Sequence, residues 1–479
     1  MDEETSSRPQ RGLLPGLIIG LLVAAVIGLG AYILLNDSNG TMTAVGGTSA
    51  SSAAPSPAAG TPTPVTPTPS AVSTTAGHLD RAFGDGGRAI SGWSGSIDVP
   101  YWKIRGAVYG RAFDVDMQSG GRILLTGARA SGEAFALARH ERDGSLDATF
   151  GDGGVVITRF ATRSTAYDAA IDDRGRIVAV GTTGRDVYTA TSFYDGSPGT
   201  EFALARYGPD GALDPSFGSA GKVRTPFSPP GPAQANAVAI QPHGLIMVAG
   251  TAGKSLALAR YLPDGSLDPS FSSDGKLLVS VVEDATLVTA SGVALAAHGG
   301  IVVGGLACSH RDCNVFVARF EASGAPDPSF GSGGVVLVQA DMTRASNLVV
   351  QSDGRLVLGA GPFLYRFEPD GSLDPSFSGD GILPLRLGAA GVAIAADGWI
   401  VVAGPGRREP WEFNVSRFDP DGVSDTGFGR HGTATAEFPG FLSTPFAVEI
   451  GHGARIVAAG TTSEENVDGA FAVARFLGS

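Results

Sequence analysis

Residues 79–479 predict an all-β fold, a seven-bladed β-propeller of four-stranded blades, and three observations carry that reading. One motif recurs seven times, short strand patterns follow it at a regular period of about 57 residues, and the first and last copies are incomplete in complementary ways. A chain of 479 residues would otherwise suggest two or three ordinary domains, so the repeats decide its organisation.

The motif is an Arg, an aromatic residue or His, a Pro-Asp-Gly-like turn, Leu-Asp-x-x-Phe and a Gly-rich turn. Tyr261-Leu-Pro-Asp264-Gly-Ser-Leu-Asp268-Pro-Ser-Phe271 displays it fully. Its arginines are Arg139, Arg206, Arg260, Arg319, Arg366, Arg417 and Arg475. In the first six copies an Asp follows 8 residues later and a Phe 11 later, as in Arg139, Asp147 and Phe150. A group at fixed spacing in every copy is expected to be architectural, with a partly buried, bidentate Arg–Asp pair and the Phe packed beneath it.

A strand–turn–strand unit accompanies each motif. Its first residue (Ala112, Ala166, Ala235, Ala290, Ala345, Ala389, Pro445) stands 11 positions before an Ile or Leu (Ile123, Ile177, Ile246, Ile301, Leu356, Ile400, Ile456). Each copy thus reads as four strands: an Ala-rich strand a, strand b of the Ile-Val-Val-Ala-Gly type, strand c of the Phe-Ala-Leu-Ala-Arg type, and strand d after the Gly-rich turn. Small residues in strand a suit a crowded inner rim. The last copy stops at Arg475-Phe476 without Leu-Asp-x-x-Phe, whereas the ring begins with an orphan Leu79-Asp80-Arg-Ala-Phe83. One blade is therefore expected to take strands a to c from the C-terminus and strand d from about Gly87 to Ser91, leaving no free edge.

The Asp-Gly-Ser-Leu-Asp-Pro-Ser-Phe core with its Arg-aromatic lead resembles the bacterial delta-60 repeat over residues 79 to 479. That resemblance implies the propeller-like fold and a surface or secreted location, and it brings no catalytic residues. Two copies depart from the pattern: Ala360 stands where the others have Gly, and Asp425-Thr-Gly-Phe428 lacks the Pro and the Leu.

Ahead of the ring, residues 1–12 form an expected cytoplasmic tail. Residues 13–35 carry no charge and are long enough, at about 1.5 Å per residue, to cross a hydrocarbon core of about 30 Å. A cleaved signal peptide would have an apolar region of only about 7–15 residues and a small-x-small site, which does not follow Leu35 closely. Arg8 and Arg11 precede the segment and no Lys or Arg follows until Arg81, so the N-terminus is expected inside and the ring outside. Residues 36–78, rich in Pro, Thr, Ser and Ala, read as a disordered stalk. A net charge of −13 without a basic patch argues against a nucleic-acid partner.

Chemical motifs are sparse. No His-Glu-x-x-His, nucleophile elbow or phosphate loop occurs, and Gly253-Lys254-Ser255 lacks the upstream Gly. Counting 12 positions from Asp264 reaches Gly275, which lacks the carboxylate of a calcium loop. No metal, cofactor or catalytic set is therefore assigned. His243, His298 and His452 read as turn residues. Cys308 and Cys313 flank the turn between strands b and c of one copy, and in an oxidising exterior a disulfide is expected over free thiols. Asp116 and Glu449 share one column of strand a in the first and last blades, and Asp114 and Asp168 share another in blades one and two. These four carboxylates either bind a cation or polar ligand or bond to neighbouring backbone.

The a–b and c–d steps are constant, whereas the b–c and d–a loops vary in length and lie together at the other end of the ring. Those loops carry Trp93, Tyr101, Trp102 and Tyr109, then Tyr188, Phe193 and Tyr194, then Arg407, Arg408 and Trp411. Aromatic and Arg side chains there suit a protein or polysaccharide partner, or else cap the ring. The expected function is a membrane-anchored, extracytoplasmic binding or scaffold module. The alternative is an extracytoplasmic propeller enzyme, a lyase or a quinoprotein-like oxidoreductase.

Overall fold

The computed structural model describes residues 75–91, 110–129, 132–184, 200–228, 231–296, 299–310, 312–340, 344–405, 412–439, 441–463 and 469–478. The tail, the apolar segment 13–35 and nearly all of the stalk lie outside them. Among the described residues no helix is long and apolar enough to cross a membrane.

Every described strand falls in one of seven four-stranded antiparallel sheets. Six are formed by consecutive strands, and the seventh joins Arg88–Ile90 to three strands from the C-terminal end. The strand order within each sheet is a-b-c-d. The inner a strands are Gly110–Met117, Arg163–Ile171, Ala233–Ile240, Leu287–Leu295, Ala345–Val350, Gly391–Ile394 and Leu442–Gly451. Strands b and c are buried on both faces because a blade lies on each side. In blade three, Leu256 and Leu258 of strand c are fully buried and pack with Val288, Ile301 and Phe316 of blade four. Each such side chain contributes roughly 1.5–3 kcal/mol when fully buried.

The repeated Arg stitches neighbouring blades together. Arg260 donates from Nε to Asp268 Oδ2 at 2.7 Å, from Nη2 to Ser270 Oγ at 2.9 Å, and from Nη1 to the Ala322 carbonyl of the next blade. Its guanidinium lies 4.9 Å from the centre of the Phe271 ring. The pair is not the two-oxygen fork expected from the sequence. Oδ1 of Asp268 is already committed to the Ser270 amide and hydroxyl, at 2.9 and 2.7 Å, so only Oδ2 is left for the guanidinium. Arg139 uses two of its nitrogens on the single oxygen Asp147 Oδ2, at 2.8 and 2.7 Å.

Closure follows the same chemistry with the two ends of the chain. Arg88, Ala89 and Ile90 pair with Ala474, Val473 and Ala472. Arg475 takes Asp80 as its partner at 2.9 Å, stacks on Phe83 at 4.6 Å, and donates to the Arg142 carbonyl of blade one. The turn amide of Gly429 finds the Ala76 carbonyl, where the equivalent amide of five other blades finds an Asp carbonyl of the following blade and that of Ser272 finds Ser323.

Blade five explains its own sequence departure. In blade three a Cβ on Gly250 would lie 1.9 Å from the Gln234 carbonyl, because the bulged strand a presses its backbone onto strand b. In blade five the register shift spans Ala345 to Leu348, so Ala360 fits opposite Ala345, and Gly359 beside Ser346 is the crowded position instead.

Candidate functional site: the central channel

Strand a of five blades has a register shift over a single residue: Phe113, Tyr167, Asn236, Ser291 and Phe446. A bulge adds an unpaired residue and re-aims its side chain. All five line a cavity of about 300 Å³ at the centre of the ring. Phe113 stands between Tyr167 and Phe446, with ring centres 5.3 and 5.5 Å apart, so three adjacent blades, seven, one and two, supply one aromatic arc. The opposite wall carries small residues such as Ser291, Gly292 and Gly391. Arg344 also lines the cavity, its guanidinium 5.4 Å from the Phe446 ring centre.

The four carboxylates line the same cavity and belong to the same three blades. Two of them are tied to backbone. Asp114 Oδ2 accepts the Ala169 amide of blade two at 3.1 Å, and Asp168 Oδ2 accepts the Val238 amide of blade three at 2.7 Å. Asn236 and Asn347 make similar inter-blade staples, to the Ala290 carbonyl and to the Val392 amide and carbonyl. Asp116 differs: its buried Oδ2 has no hydrogen-bond partner.

Burial in the channel wall pushes every member of this cluster up. Asp114 is raised to about 6, with amide hydrogen bonds from Val115 and Ala169 opposing the rise. Glu449 is raised to about 7 by burial and the Asp114 charge. Asp116 and Asp168 are raised well above the ordinary carboxylate range by burial and then by the same neighbouring charge. The cluster therefore exchanges protons nearer neutral pH than ordinary carboxylates do, and it can accept positive charge in exchange for them. A metal cage does not fit: among the described residues no three His, Cys, Asp or Glu side chains are arranged to hold an ion.

Trp93, Tyr101, Trp102, Tyr109, Tyr188, Phe193, Tyr194, Arg407, Arg408 and Trp411 all lie outside the described residues, as does His298. His243 sits in its turn at φ 66°, and His452 is exposed. Cys308 and Cys313 are disulfide-bonded across directly paired positions, Cα atoms 4.0 Å apart. The aromatic arc and Arg344 were missed in the sequence. The available signal was the residue between the first Ala or Pro of strand a and the next column, which is aromatic only in blades one, two and seven.

Five stretches of the chain, 118–150, 175–217, 241–271, 351–377 and 395–428, match the model of a family described as "Domain of unknown function (DUF5122) beta-propeller". Each runs from an a–b turn to the Phe of the Arg–Asp–Phe motif. No curated protein matches the chain. Similar solved structures include the WD40 beta propeller domain of Doa1, 11% identical over 78% of this chain and 95% of that one, with a TM-score of 0.43. Polysaccharide lyase Uly1 is 10% identical over 85% and 98%, with a TM-score of 0.45. A protein of unknown function from Dyadobacter fermentans is 11% identical over 78% and 95%, with a TM-score of 0.40.

Proposed function

We propose that this chain is a membrane-anchored, extracytoplasmic propeller of the delta-60 type that serves as a binding module for a protein or polysaccharide partner. The apolar run 13–35 and the Pro-rich stalk support the anchoring and the outward placement. The observation that carries the binding role is the break in sevenfold repetition inside the channel. Clamp, turn and strand chemistry recur around the ring, whereas among the described residues aromatic faces and clustered carboxylates gather on blades seven, one and two. Scaffold residues repeat because the scaffold needs them in every blade; residues confined to one arc answer to something that is not sevenfold.

Three aromatic faces beside carboxylates, one of them with an unpartnered oxygen, suit a cationic group on the partner, such as an amino sugar or a lysine. A carboxylated ligand is disfavoured by repulsion. The test is calorimetric titration of the protein with deacetylated chito-oligosaccharide, fully acetylated chito-oligosaccharide and oligogalacturonate, with product analysis in parallel. The deacetylated probe should bind best, and Phe113→Ala, Phe446→Ala and Asp116→Asn should each weaken it while leaving the melting temperature nearly unchanged. Indifference to all three substitutions would remove the channel from the account, and cleavage of any probe would favour the enzyme reading.

A further inference from the structure

Three of the seven clamps have no second Arg, and one of the three puts glycine in its place. The residue just before the first Ile or Leu of strand b is Arg122, Arg176, Leu245, Gly300, Arg355, Trp399 and Arg455 in blades one to seven. In four blades this second Arg reaches the clamp Asp. Arg122 lies 3.4 Å from Asp147 Oδ2, Arg176 3.8 Å from Asp214, Arg355 3.3 Å from Asp374 and Arg455 2.9 Å from Asp80. In blades one and five it also meets a Glu two residues after the clamp Arg: Arg122 with Glu141 at 3.3 Å and Arg355 with Glu368 at 3.3 Å. Trp399 in blade six instead stacks on the clamp guanidinium, 5.0 Å away.

Blade four keeps the acceptors and lacks the donor. Glu321 occupies the place of Glu141 and Glu368, Asp327 the place of Asp147 and Asp374, and Gly300 leaves between them a cavity of about 830 Å³. The consequence is visible in exposure. Asp327 is 24% exposed, against 1% for Asp147 and Asp374 and 16% for Asp214, the next most exposed clamp Asp. Gln351 Oε1, a buried acceptor without a donor, lines the same cavity.

We propose that the blade-four cavity is a binding site for a guanidinium group supplied from outside the chain. The ligand class is read from the protein itself, because two sister blades fill the corresponding place with a guanidinium held by the equivalent Glu and Asp. A guanidinium presents several in-plane donors to oxygens on different sides, which a single ammonium does not, so arginine is favoured over lysine. The left-handed conformation of this turn falls on the neighbouring Gly299, at φ 78°.

The experiment titrates the full-length protein by calorimetry with methylguanidinium, N-acetylarginine amide and N-acetyllysine amide. Both guanidinium probes should bind saturably and more tightly than the lysine probe. Glu321→Gln should weaken them about fivefold, and Asp116→Asn in the distant channel should leave them unchanged. Gly300→Arg should abolish binding and raise the melting temperature by filling the cavity from within. Should that variant not fold, Gly300→Leu, which copies Leu245 of blade three, should block the probes instead. Tighter binding of N-acetylarginine amide would assign the group to a partner protein, and equal or tighter binding of methylguanidinium would assign it to a free small cation. Absence of saturable binding, equal affinity for the lysine probe, or undiminished binding to both Gly300 variants would overturn the proposal.

Discussion

Asp268 shows how much of this molecule is decided one residue at a time. One carboxylate oxygen shapes its own turn through Ser270 and the other receives Arg260, so neither is available to water. Burial alone would push its carboxyl up, but the Ser270 hydroxyl and amide and the Arg260 charge outweigh that and hold it below the ordinary value. A depressed folded value stabilises the ring above the unfolded value of about 3.9, and the contribution is lost as pH falls below it. Asp268→Ala leaves Arg260 buried without its partner and is expected to cost about 3–5 kcal/mol. Chemical denaturation at pH 7 measures this, and the difference from the parent protein should shrink when the comparison is repeated near pH 3. The motif's existence was legible because the spacing of 8 and 11 residues repeats without drift. The third partner of each Arg, a carbonyl in the next blade, was not legible, since it depends on which blade lies alongside.

At the scale of elements, the a–b hairpin repeats an 11-residue step. In five blades a bulge in strand a presses one carbonyl onto strand b at a position that glycine fills, and in blade five, where the register shift is longer, Ala360 takes that place. Gly250→Ala is expected to destabilise the ring by about 1–3 kcal/mol, since the new Cβ meets backbone that must shift. A melting curve checks this, and the effect should exceed that of the same substitution at Gly231, whose Cβ meets nothing closer than 3.8 Å. The columns of Asp114 with Asp168 and of Asp116 with Glu449 were legible from that constant step. The bulge residues Phe113, Tyr167 and Phe446 were not recognised, because alternation along a strand assigns them to the core and only the bulge turns them into the channel. Irregular loops carry no periodic signal, so the aromatic positions at the variable end rest on composition alone.

For the whole molecule, the ring is held shut by a blade assembled from both chain ends. Removing residues 1–91 deletes Asp80, Phe83 and the outer strand Arg88–Ile90, leaving Arg475 unpaired and an exposed sheet edge; removing 1–74 deletes none of them. The longer truncation should lose cooperative unfolding or aggregate, and the shorter should unfold as one cooperative unit. Equal melting of the two would assign closure to other contacts. Inside the closed ring, the aromatic and acidic arc of blades seven, one and two is proposed to bind a cationic group. Raised carboxyl values mean that the arc gains negative charge as pH rises through about 6 at Asp114 and about 7 at Glu449. The most direct measurement is therefore the affinity for tetramethylammonium, whose charge does not titrate, at pH 8 and at pH 5. Saturable binding is expected at pH 8, lost in Phe113→Ala, and weaker at pH 5 by on the order of tenfold. Affinity that is unchanged or greater at pH 5, or undiminished in Phe113→Ala, would contradict it.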